Sequence, residues 1–154
     1  MPNKTTRRDF LQTSAAIASA VYVTGPKVYA QNEERSANER VSYACVGVGG
    51  KGSSDSADAA AHGDIVAICD VDSKTLVKTG SRPGFKEAER FEDFREMLDQ
   101  MGDKIDAVTV STPDHTHAPA AAMAMKMGKA CFCQKPLTHT VWEARRLVEI
   151  AKEK

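Results

Sequence analysis

The stretch VSYACVGVGGKG, residues 41–52, decides the fold. Its first half is apolar and β-prone with no polar alternation. That marks a strand buried on both faces, as in a parallel sheet. Its second half places Gly47, Gly49 and Gly52 at the spacing G-x-G-x-x-G. The residues that follow, SSDSADAAAH, read as a helix capped by Ser53 or Ser54. Strand, glycine turn and helix in this order make a phosphate cradle. Gly47 permits the tight turn, Gly49 leaves room for a pyrophosphate, and Gly52 lets the helix pack close to the strand. The N–H groups of the loop, which includes Gly50 and Lys51, then face the phosphates together with the helix dipole. By itself the glycine pattern is weak, because a flexible turn uses the same residues.

The next strand strengthens it. DIVAICDVD is a second continuous apolar run, and its Asp70 stands 18 residues after Gly52. A carboxylate about 20 residues past the glycines accepts hydrogen bonds from the hydroxyls of an adenosine ribose. It also repels a 2′-phosphate, and no arginine follows it. NAD is therefore favoured over NADP. The alternative for Asp70 is a solvated acid at a strand end.

Two further apolar runs, IDAVTVSTPDH and KACFCQKP, complete a set of buried strands, and a short strand is expected near Ala88–Phe91. Helical stretches lie between them. FEDFREMLDQM sets Phe91, Phe94, Met97, Leu98 and Met101 at helical spacing, and APAAAMAMKMG stops at Gly128. THTVWEARRLVEIAKEK puts Val141, Trp142, Arg145, Leu147, Val148 and Ala151 on a helical period, capped by Thr138 or Thr140, with Trp142 expected in the core. Alternation of strand and helix predicts a doubly wound parallel α/β sheet, Rossmann-like. The chain stops after a helix that has no following strand. The expectation is a domain truncated before its last strands and any second domain, with an exposed sheet edge.

Ligands in such sheets sit outside the carboxyl ends of the strands. Two strands end there in polar clusters, VSTPDHTHAP and CQKPLTH. With the glycine fingerprint, these segments resemble the glucose–fructose oxidoreductase/inositol dehydrogenase family (Gfo/Idh/MocA) over residues 41–154. The family carries a Thr-Pro-Asn-x-x-His-like segment and then Glu-Lys-Pro. Here Thr112, Pro113 and His117 match, with Asp114 in place of Asn. Lys135 and Pro136 match as well, with Gln134 in place of Glu. The resemblance implies that Lys135 lies beside the nicotinamide ribose and the substrate hydroxyl, held there by Pro136. It implies that Ser111, Thr112, Pro113 and His117 line the nicotinamide side. Gln134 keeps the hydrogen bonding of a glutamate but loses its charge. A surface lysine and a loop with a capping histidine are the alternatives.

The implied function is the cofactor-binding part of an NAD-dependent oxidoreductase acting on a sugar, polyol or related hydroxyl compound. An NAD-dependent glycoside hydrolase of the same superfamily is the first alternative. A non-catalytic dinucleotide-binding fragment is the second. Family members hold further catalytic residues in a later domain absent from these 154 residues, so the chain alone is expected to be inactive. A homo-oligomer is compatible with a full-length form.

The N-terminal segment belongs to a different problem. Residues 1–30 carry the pair Arg7–Arg8, an apolar run TSAAIASAVYV, and Val28 and Ala30 at a small-residue exit. That order resembles a twin-arginine export signal, which predicts a periplasmic protein with no stable membrane anchor after cleavage. Residues 31–40, QNEERSANER, read as a polar linker to a domain over 41–154. The chain holds 21 basic and 21 acidic residues, and residues 31–154 hold 17 and 20 of them. No basic field points to nucleic acid. His115 and His117 form an H-x-H pair without a third ligand nearby, so no metal is assigned. Cys45, Cys69, Cys131 and Cys133 are expected to be small core residues.

Overall fold

The computed structural model describes residues 40–154. The twin-arginine-type segment and residues 31–39 of the expected linker lie outside the described residues. Arg40, the last linker position, already bonds to the domain, donating to Asp64 Oδ1 at 2.8 Å and to the Gly63 carbonyl at 2.7 Å.

Five strands are present among the described residues: β1 (Val41–Val46), β2 (Gly63–Cys69), β3 (Glu89–Phe91), β4 (Ala107–Val110) and β5 (Ala130–Cys133). Their order is β3-β2-β1-β4-β5, and every pairing is parallel. Four α-helices join them, α1 (Gly50–His62), α2 (Ser73–Gly80), α3 (Phe94–Met101) and α4 (Asp114–Lys126), and α5 (Val141–Glu153) follows β5. This is the doubly wound architecture expected from the alternation. The chain runs outward from β1 to β3 on one side, then returns to place β4 on the other. A crevice opens at that reversal, between the carboxyl ends of β1 and β4.

The absence of alternation in the strands has a direct cause. Ala44 and Val46 pack into one apolar cluster with Met97, Leu98, Ala121 and Leu147, while Cys45 packs into the opposite one with Ile68, Leu76 and Phe85. Both faces of β1 are covered, so both need apolar residues. Burying Ile68 completely contributes about 2–3 kcal/mol. Register shifts between Tyr43 and Ala44, which pair with Ile65 and Ala67 and leave Val66 as the extra residue of a bulge. Ile65 therefore faces one cluster, while Val66 and Ala67 both join the other.

Several local expectations are corrected. Helix α1 begins at Gly50 with Gly49 as its cap, not at Ser53 or Ser54. The glycine turn itself starts the helix, and the Ser54 hydroxyl instead donates to the Lys51 carbonyl at 2.9 Å. Phe91 ends β3, and α3 starts at Phe94 behind Asp93, whose side chain accepts from the Arg95 N–H. Helix α4 starts at Asp114, so the TPDHTH segment is largely helical. Helix α2, capped by Asp72, was not anticipated, because eight residues of SKTLVKTG carry too few apolar positions to show a period. On α5, Thr140 forms a capping box with Glu143. Trp142 is 70% exposed, however, and Val141 and Val148 are exposed with it. Leu147 and Ile150 are the buried residues of α5, because only that edge of the helix rests on the domain. Cys45 and Cys69 are buried, while Cys131 and Cys133 on the outer strand β5 are half-buried.

Candidate functional site

The glycine turn is built as the spacing requires. Gly47 has φ +78°, and a Cβ there would lie 2.8 Å from the backbone of Ser111 and Thr112. A Cβ on Gly52 would lie 1.9 Å from the Gly47 carbonyl oxygen. Only hydrogen atoms fit at either position. The cap residue of α1 is Gly49, which has no side chain to occupy the N–H groups of the first turn. That end of a thirteen-residue helix is left open to an anion.

Asp70 stands at the carboxyl end of β2 and reaches back to this turn. Its Oδ2 accepts from the Val48 and Gly49 N–H groups at 3.0 and 3.2 Å, and its Oδ1 accepts from the Asp72 N–H at 3.0 Å. A carboxylate is thereby fixed beside the glycine loop. A cleft of about 420 Å³ lies over these groups. Gly47, Gly49, Asp70, Ser111, Thr112 and Pro113, six of the sequence-predicted positions, line it. Gly50, Lys51, Gly52, His117, Gln134 and Lys135 are not part of its wall.

The cleft also contains residues that the sequence reading missed. Glu92, Asp93, Phe94 and Arg95 close one side, and His115 and Thr116 the other. The signal for the first group was the short strand β3, whose carboxyl end follows that of β2. Arg95 Nη2 lies 2.5 Å from Asp93 Oδ2. The Arg95 side chain and backbone N–H hold the Asp93 carboxyl down to about 2.

Below the cleft, Asp55 of α1 gathers three donors. Its side chain is only 7% exposed. Oδ1 accepts from Lys51 Nζ at 2.6 Å. Oδ2 accepts from Ser111 Oγ at 2.7 Å and from Gln134 Nε2 at 2.9 Å. Burial pushes this carboxyl up. The hydrogen bonds from Lys51, Gln134 and Ser111, with the charge of Lys51, outweigh burial and hold it below its ordinary value. Lys51 is thus held on Asp55 and on Ser54 Oγ rather than extended over the glycine loop.

The two polar strand tips are tied to each other. His117 is 1% exposed, and its Nδ1 and Nε2 lie 2.8 Å from the Pro136 carbonyl and 2.7 Å from the Thr112 carbonyl. It clasps the loop after β4 to the turn after β5. A second, exposed link joins His139 Nδ1 to Asp114 Oδ2 at 3.3 Å, and this hydrogen bond lowers the Asp114 carboxyl. The Lys135–Pro136 peptide is cis. The Lys135 N–H donates to its neighbour Gln134 Oε1 at 2.7 Å, and its side chain is exposed. Among the described residues no carboxylate lies within ion-pair distance of the Lys135 ammonium. His115 and His117 sit on a helix rather than a strand, and among the described residues no group of three His, Cys, Asp or Glu is placed to hold a metal ion.

The geometry fits a dinucleotide: an uncapped helix N-terminus, a turn that admits no side chain, and a fixed carboxylate at the next strand tip. Similarity to known proteins agrees. The chain is 32% identical to an inositol 2-dehydrogenase of Rubrobacter xylanophilus over 77% of its own length and 34% of the relative's. It is 29% identical to a glycosyl hydrolase family 109 protein of Shewanella pealeana, over 97% of this chain and 37% of that one. The crystal structure of GenD2 from gentamicin A biosynthesis, in complex with NAD, superposes with a TM-score of 0.67 at 27% identity, covering 81% of this chain and 35% of that one. The chain thus spans about a third of the length of the curated relatives it matches. Residues 41–154 match the oxidoreductase family with the NAD-binding Rossmann fold, and the chain belongs to this Gfo/Idh/MocA family.

Proposed function

We propose that this chain is the cofactor-binding part of an NAD-dependent oxidoreductase acting on a sugar, polyol or related hydroxyl compound. The observation that carries the reading is the cleft over the glycine turn, with Asp70 fixed at its edge and the Lys135 turn tied to its wall through His117. The glycine turn and the α1 N-terminus would hold the pyrophosphate, and Asp70 the adenosine ribose. NAD, when bound, supplies the hydride acceptor. Lys135 orients the substrate hydroxyl and stabilises the negative charge that develops on its oxygen. The likeness to the inositol 2-dehydrogenase supports the substrate class, and the likeness to GenD2, which was solved with NAD, supports the cofactor.

Asp70 favours NAD over NADP, since a carboxylate facing the ribose repels a 2′-phosphate. Arg95, the guanidinium in the cleft, is engaged by Asp93. Calorimetry should find NAD(H) bound at least ~10-fold more tightly than NADP(H), about 1.4 kcal/mol, with the gap narrowing in Asp70→Ala. Tighter NADP(H) binding by the wild type would overturn the assignment. The likeness to the family 109 glycosyl hydrolase, which extends over 97% of the chain, favours a second reading: transient oxidation with regeneration of NAD. Net NADH production by a subunit joining this segment to a family-type substrate domain separates the two, since the hydrolase makes none.

We also propose that residues 1–30 direct export by the twin-arginine route, on the order of Arg7–Arg8, apolar run and Ala30. Arg7→Lys with Arg8→Lys should leave the protein in the cytoplasm. Fractionation that finds the double variant exported as before would remove the twin-arginine route.

A further inference from the structure

We propose that Asp55 is a positioning residue for Lys135, acting through Gln134, and that glutamine stands at 134 because Asp55 already supplies the one negative charge this site accepts. The inference rests on the reading of Lys135 given above. Asp55 belongs to the first turns of α1, and Gln134 follows β5, 79 residues later in the chain. The Gln134 amide uses both of its ends. Nε2 donates to Asp55 Oδ2 at 2.9 Å, and Oε1 accepts from the Lys135 N–H at 2.7 Å. The side chain links a buried carboxylate to the lysine's own backbone.

Polarity fixes which residues can stand here. Asp55 is an acceptor surrounded by donors: Lys51 Nζ, Ser111 Oγ and Gln134 Nε2. An ionised glutamate at 134 has no donor to offer. It would set a second carboxylate oxygen against Asp55 Oδ2, and Lys51 is the one cation bonded to that pair among the described residues. A charge at 134 therefore requires a neutral residue at 55. The exchange Asp55→Asn with Gln134→Glu reverses the direction of the same hydrogen bond, keeps the net charge, and preserves the acceptor for the Lys135 N–H.

The test uses this chain without cofactor and follows hydrogen exchange at the Lys135 amide by NMR, together with the thermal midpoint. Gln134→Glu should speed Lys135 exchange at least tenfold and lower the midpoint. Asp55→Asn should speed it several-fold. The double variant should return to within threefold of wild type, far from the product of the single effects. Wild-type exchange in Gln134→Glu, or multiplicative single effects in the double variant, would overturn the proposal. Should Gln134→Glu not fold, recovery of folding in the double variant is the rescue, and its failure to fold counts against the idea. NAD titration of the wild type runs alongside. Intact coupling between 55 and 134 without NAD binding would sink the cofactor reading alone.

Discussion

Gly52→Ala should lower the thermal midpoint of this chain by about 10 °C or more and abolish measurable NAD binding. The new methyl carbon would stand 1.9 Å from the Gly47 carbonyl oxygen and 2.8 Å from its carbon. Both are backbone atoms, so no side chain can swing aside to relieve the contact. The Ser111 Cβ closes the remaining space at 3.2 Å. Overpacking of this kind costs about 3 kcal/mol. In a domain of this size that corresponds to roughly 3–5 °C for each kcal/mol. The only escape is for α1 to move away from β1, which carries its N–H groups out of the cradle and disturbs the Asp55 contacts as well. A midpoint within a few degrees of wild type, with NAD affinity retained, would show that the helix does not start against the turn as described.

Lys135→Met should lower turnover by ~100-fold or more in a subunit joining this segment to a family-type substrate domain, a loss of about 3 kcal/mol of transition-state stabilisation. The ammonium is exposed at the end of β5 and unpaired with any carboxylate among the described residues. Its charge is available to a substrate oxygen. A group that works mainly as negative charge develops should affect turnover far more than cofactor affinity. Methionine keeps most of the length and apolar stem, so packing changes little. Steady-state kinetics with NAD affinity measured in parallel gives both readouts. Normal turnover would make Lys135 only a strand-end lysine and favour the non-catalytic binding reading. An equal loss in turnover and NAD affinity would mean instead that the Lys135 turn holds the cofactor.

The doubly wound class, the glycine turn and Asp70 were legible in the sequence because each depends on neighbours in the chain. A strand covered on both faces must be apolar at successive positions, and residues 41–48 say so directly. A turn that admits no Cβ must use glycine, and its spacing is short enough to read. What the sequence could not decide was which residues meet across the sheet. Asp55 lay unremarked in a serine- and alanine-rich helix, yet it holds Ser111 and Gln134 because β4 and β5 fall on the same side of β1. His117 read as a lining residue from its motif. The structure buries it as the clasp between Thr112 and Pro136, since α4 starts four residues earlier than the apolar period suggested. The period of α5 included Trp142, but periodicity reports only that a helix has an apolar stripe. How much of that stripe is covered depends on its neighbours, and here they bury Leu147 of it together with Ile150, which the stripe did not include. Local sequence therefore determined the strands, the turn and the acid at the second strand tip. Strand order, a long-range property set by the packing of helices on both faces, decided which side chains became partners.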